Sequence, residues 1–378
     1  MDNLPLEIIA TISDHLEHAD FTAFESVNKA LRHATEQILA CVIFDYDEDD
    51  CGWLDARYDR PRRRACLEYL IFYIKLPGVL NDHDNEAEFE YKASKNNKAF
   101  TDMMHPLIRI LHSWEQGLER SVHLIIQATA PGIPDDYDQE AWHFHEVPDW
   151  MRDPRDVKHF PRRGQSLGFS RGTIQQIPSL GCIKTFTYQG YLLHPEALGS
   201  LLRSMPGLTK LRLCTDSRAE QTADSPMKYR DSLARALNAT PFSSLGQFDL
   251  LCRLGKFSTA VVEKDCMTSP RNADHLSLAL RRIYQPSSME NFNLGMEDHA
   301  LGIEFFSSKP VLDTMDTETE VWPRLKQFAI EFGSMTIDGE PYYNDTCPHS
   351  SATYQLNKLN RGVRLNYLIG FSLKTYLT

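Results

Sequence analysis

Apolar residues in the second half of the chain recur in a short motif, three of them at offsets zero, three and five. It occurs five times, as Ile183/Phe186/Tyr188, Leu208/Leu211/Leu213, Leu245/Phe248/Leu250, Met289/Phe292/Leu294 and Leu325/Phe328/Ile330. The last two members of each triplet alternate with a polar or small residue, the period of a half-buried strand, and the first marks the turn onto it. Between triplets the period changes. Leu198, Leu201, Leu202 and Met205, then Tyr229, Leu233, Ala236 and Leu237, then Leu276, Leu280, Ile283 and Tyr284 are spaced as one face of a helix. Pro195 and Ser225-Pro226 stand where the first helical turn favours proline. Strands alternating with helices predict an α/β fold with a parallel sheet, because parallel neighbours need a crossover between them.

Upstream, Leu67, Leu70 and Phe72 repeat the same offsets, Leu107 to Trp114 predicts a helix, and Val122 to Ile126 a strand. The repeating region therefore spans 61–378. Residues 134–178 break the rhythm with Pro148, Pro154, Pro161 and Pro178 and predict a long insertion loop, a kind of segment that commonly contacts ligands.

The first residues follow a different pattern. Ile8, Ile9, Ile12 and Leu16 form the stripe of an amphipathic helix, with Pro5 in its first turn. Asp20 can cap a second helix carrying Phe21, Phe24, Val27 and Leu31. A third is predicted from Ala34 or Thr35, with Ile38, Leu39, Val42 and Ile43 apolar, ending at the acidic run that opens with Asp45. Three short helices over 1–44 bury little surface alone, so the module wants a partner. The acidic run Asp45, Asp47, Glu48, Asp49 and Asp50, followed by Arg60, Arg62, Arg63 and Arg64, predicts a solvated, charge-mixed linker centred on 45–60.

Taken in order and without gaps, Leu4-Pro5, Glu7-Ile8, Ile12, Leu16, Asp20-Phe21, Phe24, Val27-Asn28-Lys29 and Leu31-Arg32 resemble the F-box motif. One position departs: Leu31 stands where many F-boxes carry Trp, which keeps an apolar contact of smaller area. The resemblance implies a three-helix insert against the Skp-family adaptor of an SCF-type ubiquitin ligase. That adaptor connects through a cullin to the RING subunit and the ubiquitin-conjugating enzyme. Leu4, Pro5, Ile8, Ile12, Leu16, Val27 and Leu31 would then supply the apolar contacts, and the rest of the chain would select a protein substrate. It equally accommodates an F-box protein that binds its adaptor outside any ligase, as a structural or regulatory heterodimer. Read without the resemblance, the same residues would pack the helices together or onto the rest of the chain.

The triplets in turn resemble the core of the leucine-rich-repeat pattern LxxLxL. With Trp322-Pro323-Arg324-Leu325 leading onto the last triplet and Asp338-Gly339 beyond it, the arrangement looks like the degenerate leucine-rich region of fungal F-box proteins. The middle residues are 25, 37, 44 and 36 positions apart, against about 20–29 in regular repeats. An irregular α/β solenoid with insertions is therefore implied. The Asn or Cys expected after a triplet is met only by Cys214 and Cys252.

Charge and chemistry narrow the function. A net charge of -12 and a pI near 5.6 argue against nucleic-acid binding, which needs clustered cations to displace phosphate counterions. The amino terminus has acidic residues and Pro5 where a secretory signal needs basic and apolar ones. No apolar run approaches the roughly 20 residues of a membrane span, so the expected location is cytoplasmic or nuclear, with no membrane partner. The eight cysteines are scattered and read as reduced thiols.

Gly164-Gln165-Ser166-Leu167-Gly168 matches the hydrolase pattern GxSxG, which works only on a sharp strand-to-helix turn. Phe160-Pro161-Arg162-Arg163 before it is no apolar strand, and Gly172 and Pro178 interrupt any following helix. A serine hydrolase centred on Ser166 is thus the minor alternative to a chance match. His143, His145 and His159 with Glu140 could gather around a metal, but no second ligand pair has zinc-site spacing. No catalytic residue, cofactor site or metal site is assigned. The runs Asp82 to Glu90 and Asp135 to Glu140 predict solvated loops, and Phe305-Phe306, Trp322 and Tyr342-Tyr343 read as core aromatics.

Overall fold

The computed structural model describes residues 39–45, 50–78, 85–114, 121–129, 166–170, 177–217, 225–254, 274–285, 288–296, 324–333, 351–358 and 363–367. It also describes Ile8, Ile12, Ala23, Phe24, Val27, Leu31, Arg32, Glu36 and Phe305. The strands are β1 (Cys41–Asp45), β2 (Tyr69–Lys75), β3 (Val122–Thr129), β4 (Ile183–Gly190), β5 (Lys210–Ser217), β6 (Gln247–Leu254), β7 (Asn291–Met296), β8 (Gln327–Gly333), β9 (Ser351–Lys358) and β10 (Val363–Tyr367). They form one sheet in chain order. Neighbours from β1 to β8 are parallel, as the alternation of patterns predicts. The pairings of β8 with β9 and of β9 with β10 are antiparallel, so the sheet is not parallel throughout.

The described helices are α1 (Asp50–Arg57), α2 (Pro61–Arg64), α3 (Glu86–Trp114), α4 (Pro195–Ser204), α5 (Ser225–Asn238) and α6 (His275–Tyr284). The last four lie between successive parallel strands, where crossovers are required. Their starts follow local chemistry. Asn85 Oδ1 accepts the Glu88 N–H at 3.0 Å, Pro195 occupies the first turn of α4, and Asp274 accepts the Ser277 N–H at 3.2 Å.

The sheet register places the triplets in columns. Val42, Leu70, Leu124, Phe186, Leu211, Phe248, Phe292 and Phe328 are successive partners across the eight strands, and Phe44, Phe72, Ile126, Tyr188, Leu213, Leu250, Leu294 and Ile330 form a second column. All are buried, and the helices pack against them in one continuous core. Aromatic members stack on their neighbours: ring centroids are 5.3 Å apart for Phe44–Phe72, Phe248–Phe292 and Phe292–Phe328. Tyr284 of α6 meets Phe292 and Phe328 edge-on and donates its hydroxyl to the Phe305 carbonyl at 2.5 Å. Such pairs add about 0.5–1.5 kcal/mol each beyond their area.

Three expectations are corrected. The helix expected through Ile43 gives way to strand β1, whose Leu39/Val42/Phe44 form a further triplet. A short apolar run satisfies both periods, and pairing with β2 decides between them. The sheet therefore begins before residue 44. Residues 50–64 are not a solvated linker but two helices tied to the core. Leu54 and Tyr58 are fully buried, Tyr58 donates to the Leu39 carbonyl at 2.8 Å, and its ring lies 5.5 Å from that of Trp114. Arg60 and Arg62 are exposed as predicted, but Arg63 is 2% exposed, and Arg64 donates to the Tyr58 carbonyl at 2.5 Å. Finally, Glu86 to Glu90 open α3 instead of lying in a loop, favoured there by the positive helix start.

Candidate partner-binding site

Of the residues assigned to adaptor docking, Ile8, Ile12 and Val27 are helical and exposed, at 47%, 37% and 61%. Leu4, Pro5 and Leu16 lie outside the described residues. Leu31 differs from the exposed three: it is helical but 1% exposed, so it packs inward and presents no surface to a partner. Burial of a large aliphatic side chain contributes about 1.5–3 kcal/mol, and the three exposed residues leave that contribution unrealised within the chain. Glu36 fastens this region to α2, accepting from Arg62 at 2.6 Å.

The second surface is the sheet face opposite the helices. Here the residue between the two columns points away from the helices, giving the row Ile43, Ile71, Ile125, Thr187, Arg212, Asp249, Asn293 and Ala329, of which Ile43 is exposed and Ile71, Ile125 and Thr187 are buried. Ile71 and Ile125 form a small apolar cluster with Cys41 and Tyr73, separate from the main core. Beyond β3 the row turns polar. Arg212 and Asp249 are register partners, and Asp249 also accepts from Gln247 at 2.8 Å. Burial pushes the Asp249 carboxyl up, while the Gln247 hydrogen bond, the Arg212 charge and a hydrogen bond from Asn293 oppose it. Burial likewise raises the Cys214 thiol against the charge and hydrogen bond of Arg212.

His123 stands on the same face, where β3 meets β4. Its Nε2 lies 2.9 Å from Thr187 Oγ1, and its ring is 5.4 Å from that of Tyr69. Burial, and then the charges of Lys210 and Arg212, push its pKa down to about 4. None of these residues stands out by type. The signal that marks them is position, since each lies one step along its strand from a member of the two buried columns.

The remaining candidates fall as follows. Leu167 of the GxSxG match forms a parallel bridge with Leu193, and residues 168–170 are irregular instead of starting a helix. Gly168 donates to Asn97 Oδ1 at 2.9 Å and Ser170 to Thr101 Oγ1 at 2.8 Å, which ties this part of the expected loop to α3. Phe305 is buried among Tyr284, Phe292 and Phe328. His143, His145, His159, Glu140, Phe306, Trp322, Tyr342 and Tyr343 lie outside the described residues. Among the described residues no three His, Cys, Asp or Glu gather as a metal site, and no helix is long and apolar enough to cross a membrane.

No protein-family model matches the chain, and comparison with curated proteins finds no significant match. The surfaces define a protein with an extended parallel sheet, a second sheet face that carries the polar and charged row, and apolar helical residues exposed at Ile8, Ile12 and Val27.

Proposed function

We propose that the chain is a substrate-recognition subunit of an SCF-type ubiquitin ligase. Residues 4–31 act as an F-box that docks a Skp-family adaptor, and the region from β1 onward acts as an irregular leucine-rich-repeat-like solenoid that selects a protein substrate. The observation that carries this reading is the exposure of Ile8, Ile12 and Val27 on helical positions that resemble the F-box motif in register. Desolvated apolar anchors dominate interface energies, and three on a small module are a reason to bind. The chain-ordered parallel sheet supports the second half, because repeat units that bury their apolar columns against neighbours build such a sheet.

In this reading the chain performs no bond chemistry. It holds a substrate lysine near the charged conjugating enzyme, and the rate gain comes from effective concentration. Ligases of this type act in the cytoplasm and nucleus, which is where we place the protein.

The test is co-expression with a Skp-family adaptor and a cullin, followed by affinity capture. Recovery of both supports the ligase reading. Recovery of the adaptor without the cullin points to a heterodimer acting outside a ligase, and a soluble chain that ignores the adaptor overturns the proposal.

A further inference from the structure

The sheet face opposite the helices changes character across β4, with Ile71, Ile125 and Thr187 buried and Ile43, Tyr69 and Lys210 exposed. On β1 to β3 it presents Ile43 and Tyr69 as exposed groups, 49% and 44%, above the Ile71 and Ile125 cluster. On β5 it presents Lys210 and Arg212. Arg212 is answered by its partner Asp249 on β6. Lys210 is exposed and pairs with no carboxylate among the described residues. Its register partners are Thr185 on one side and Gln247 on the other, both uncharged. Lys210 and Arg212 both stand near enough to act on the His123 ring.

An exposed lysine with no carboxylate partner among the described residues, on a chain of net charge -12, is a selective feature. The overall charge repels polyanions such as nucleic acid or an anionic membrane, whereas a single carboxylate can reach one lysine at close range. In the same register row as Lys210, three strands away, stands Tyr69, with Ile43 on the neighbouring β1. We infer that this face binds an extended segment of a partner protein that sets one carboxylate side chain on Lys210 and an apolar or aromatic side chain on Ile43 and Tyr69. The inference rests on the reading of the chain as a partner-selecting subunit and names the class of segment it selects.

Spacing sets the shape of that segment. Three inter-strand steps separate Tyr69 on β2 from Lys210 on β5, about 14 Å at ~4.8 Å per step. An extended chain advances ~3.3 Å per residue, so the apolar anchor and the carboxylate stand about four residues apart. Asn291 and Gln327 continue the Lys210 row and offer amides to the peptide backbone beyond the carboxylate.

The test uses the full chain and two labelled peptides read by fluorescence anisotropy. One carries Trp followed, after a short Gly/Ser spacer, by a single Glu; the other carries Lys in place of Glu. The Glu peptide should bind tighter, and Lys210→Glu should weaken it on the order of tenfold while Lys210→Arg retains it. Lys98→Glu, an exposed charge reversal on α3, makes the same change in net charge and should leave binding unaltered. Equal affinity for the two peptides, no loss with Lys210→Glu, or an equal loss with Lys98→Glu overturns the inference. Adaptor capture by the unaltered chain and by the Lys210→Glu chain is measured in parallel. Failure of capture by the unaltered chain with its peptide selectivity intact rejects the ligase reading alone, and capture retained by the Lys210→Glu chain with selectivity lost shows that Lys210 acts at a separate surface.

Discussion

Asn96 and Gly78 hold each other by two reciprocal hydrogen bonds. The Gly78 N–H donates to Asn96 Oδ1 at 2.9 Å, and Asn96 Nδ2 donates to the Gly78 carbonyl at 3.0 Å. Asn96 is fully buried in the middle of α3 and Gly78 follows β2, so one side-chain amide satisfies the backbone where the chain leaves the sheet. Asn96→Ala leaves a buried donor and a buried acceptor unpaired, at about 1–3 kcal/mol each. We expect a loss of about 2–4 kcal/mol in urea unfolding with an unchanged m-value. Asn96→Asp keeps the acceptor for the Gly78 N–H but sets a carboxylate oxygen against the Gly78 carbonyl, so it should also destabilise. A change within 0.5 kcal/mol for the Ala variant, the range of ordinary surface substitutions (about ±0.5 kcal/mol), would show that the pair is not needed.

Gly190 ends β4 with φ 116, a conformation that L side chains rarely adopt, and a Cβ built there would lie 2.1 Å from the Ala128 carbonyl oxygen. Ala128 is its register partner on β3. Gly190→Ala therefore combines backbone strain with a clash against backbone that cannot swing away, together about 3–5 kcal/mol. Thermal unfolding followed by circular dichroism should show a sharply lowered Tm. A wild-type Tm would reject the tight β3–β4 pairing at this point.

The depressed pKa of His123 sets a pH dependence. The neutral imidazole is favoured in the folded chain, so the unfolded chain takes up the proton first as pH falls. Stability from this group is full above about 6.5 and is lost progressively as pH falls toward about 4. His123→Gln should flatten the slope of stability against pH in that window, and NMR titration of the folded chain should find the ring still neutral at pH 5.5. Protonation near the ordinary value would contradict the buried, cation-flanked setting.

Leu31 and Val27 make the docking assignment separable from folding. Val27 is exposed and Leu31 buried, so Val27→Glu should abolish adaptor capture with an unchanged melting curve. Leu31→Ala should instead cost about 2–5 kcal/mol of stability. Capture undiminished by Val27→Glu and Ile8→Glu together would reject the docking surface.

Several elements were legible because one local pattern admitted one solution. Phe186, Leu211, Phe248, Phe292 and Phe328 sit in one column of the sheet because each triplet couples a turn residue to two alternating apolar residues, and a slip of one residue would expose both. Leu198, Leu233 and Leu280 were placed on buried helix faces by period alone. Leu39, Val42 and Phe44 were not legible as a strand, because Ile38, Leu39, Val42 and Ile43 fit a helix as well. Arg63 was misplaced for another reason: arginine is rarely buried unless paired, and its place against the Arg57 carbonyl and Asp59 follows from how α2 turns back on α1.

By itself the sequence determined that strands and helices alternate, which side chains of each strand face the core, and which amino-terminal residues resemble an F-box. Those properties are local, carried by periods of about two and 3.6 residues and by motif order. The tertiary structure decided what depends on which strands are neighbours. It joined Cys41–Asp45 to the sheet, turned Leu31 inward and Val27 outward, and set Tyr69 and His123 on one face with Lys210, which lies far from them in the chain. Residues remote in sequence share a field or a surface only once the backbone pairings bring their strands within a few ångströms. Strand order is a property of the whole sheet, which no single window of sequence contains.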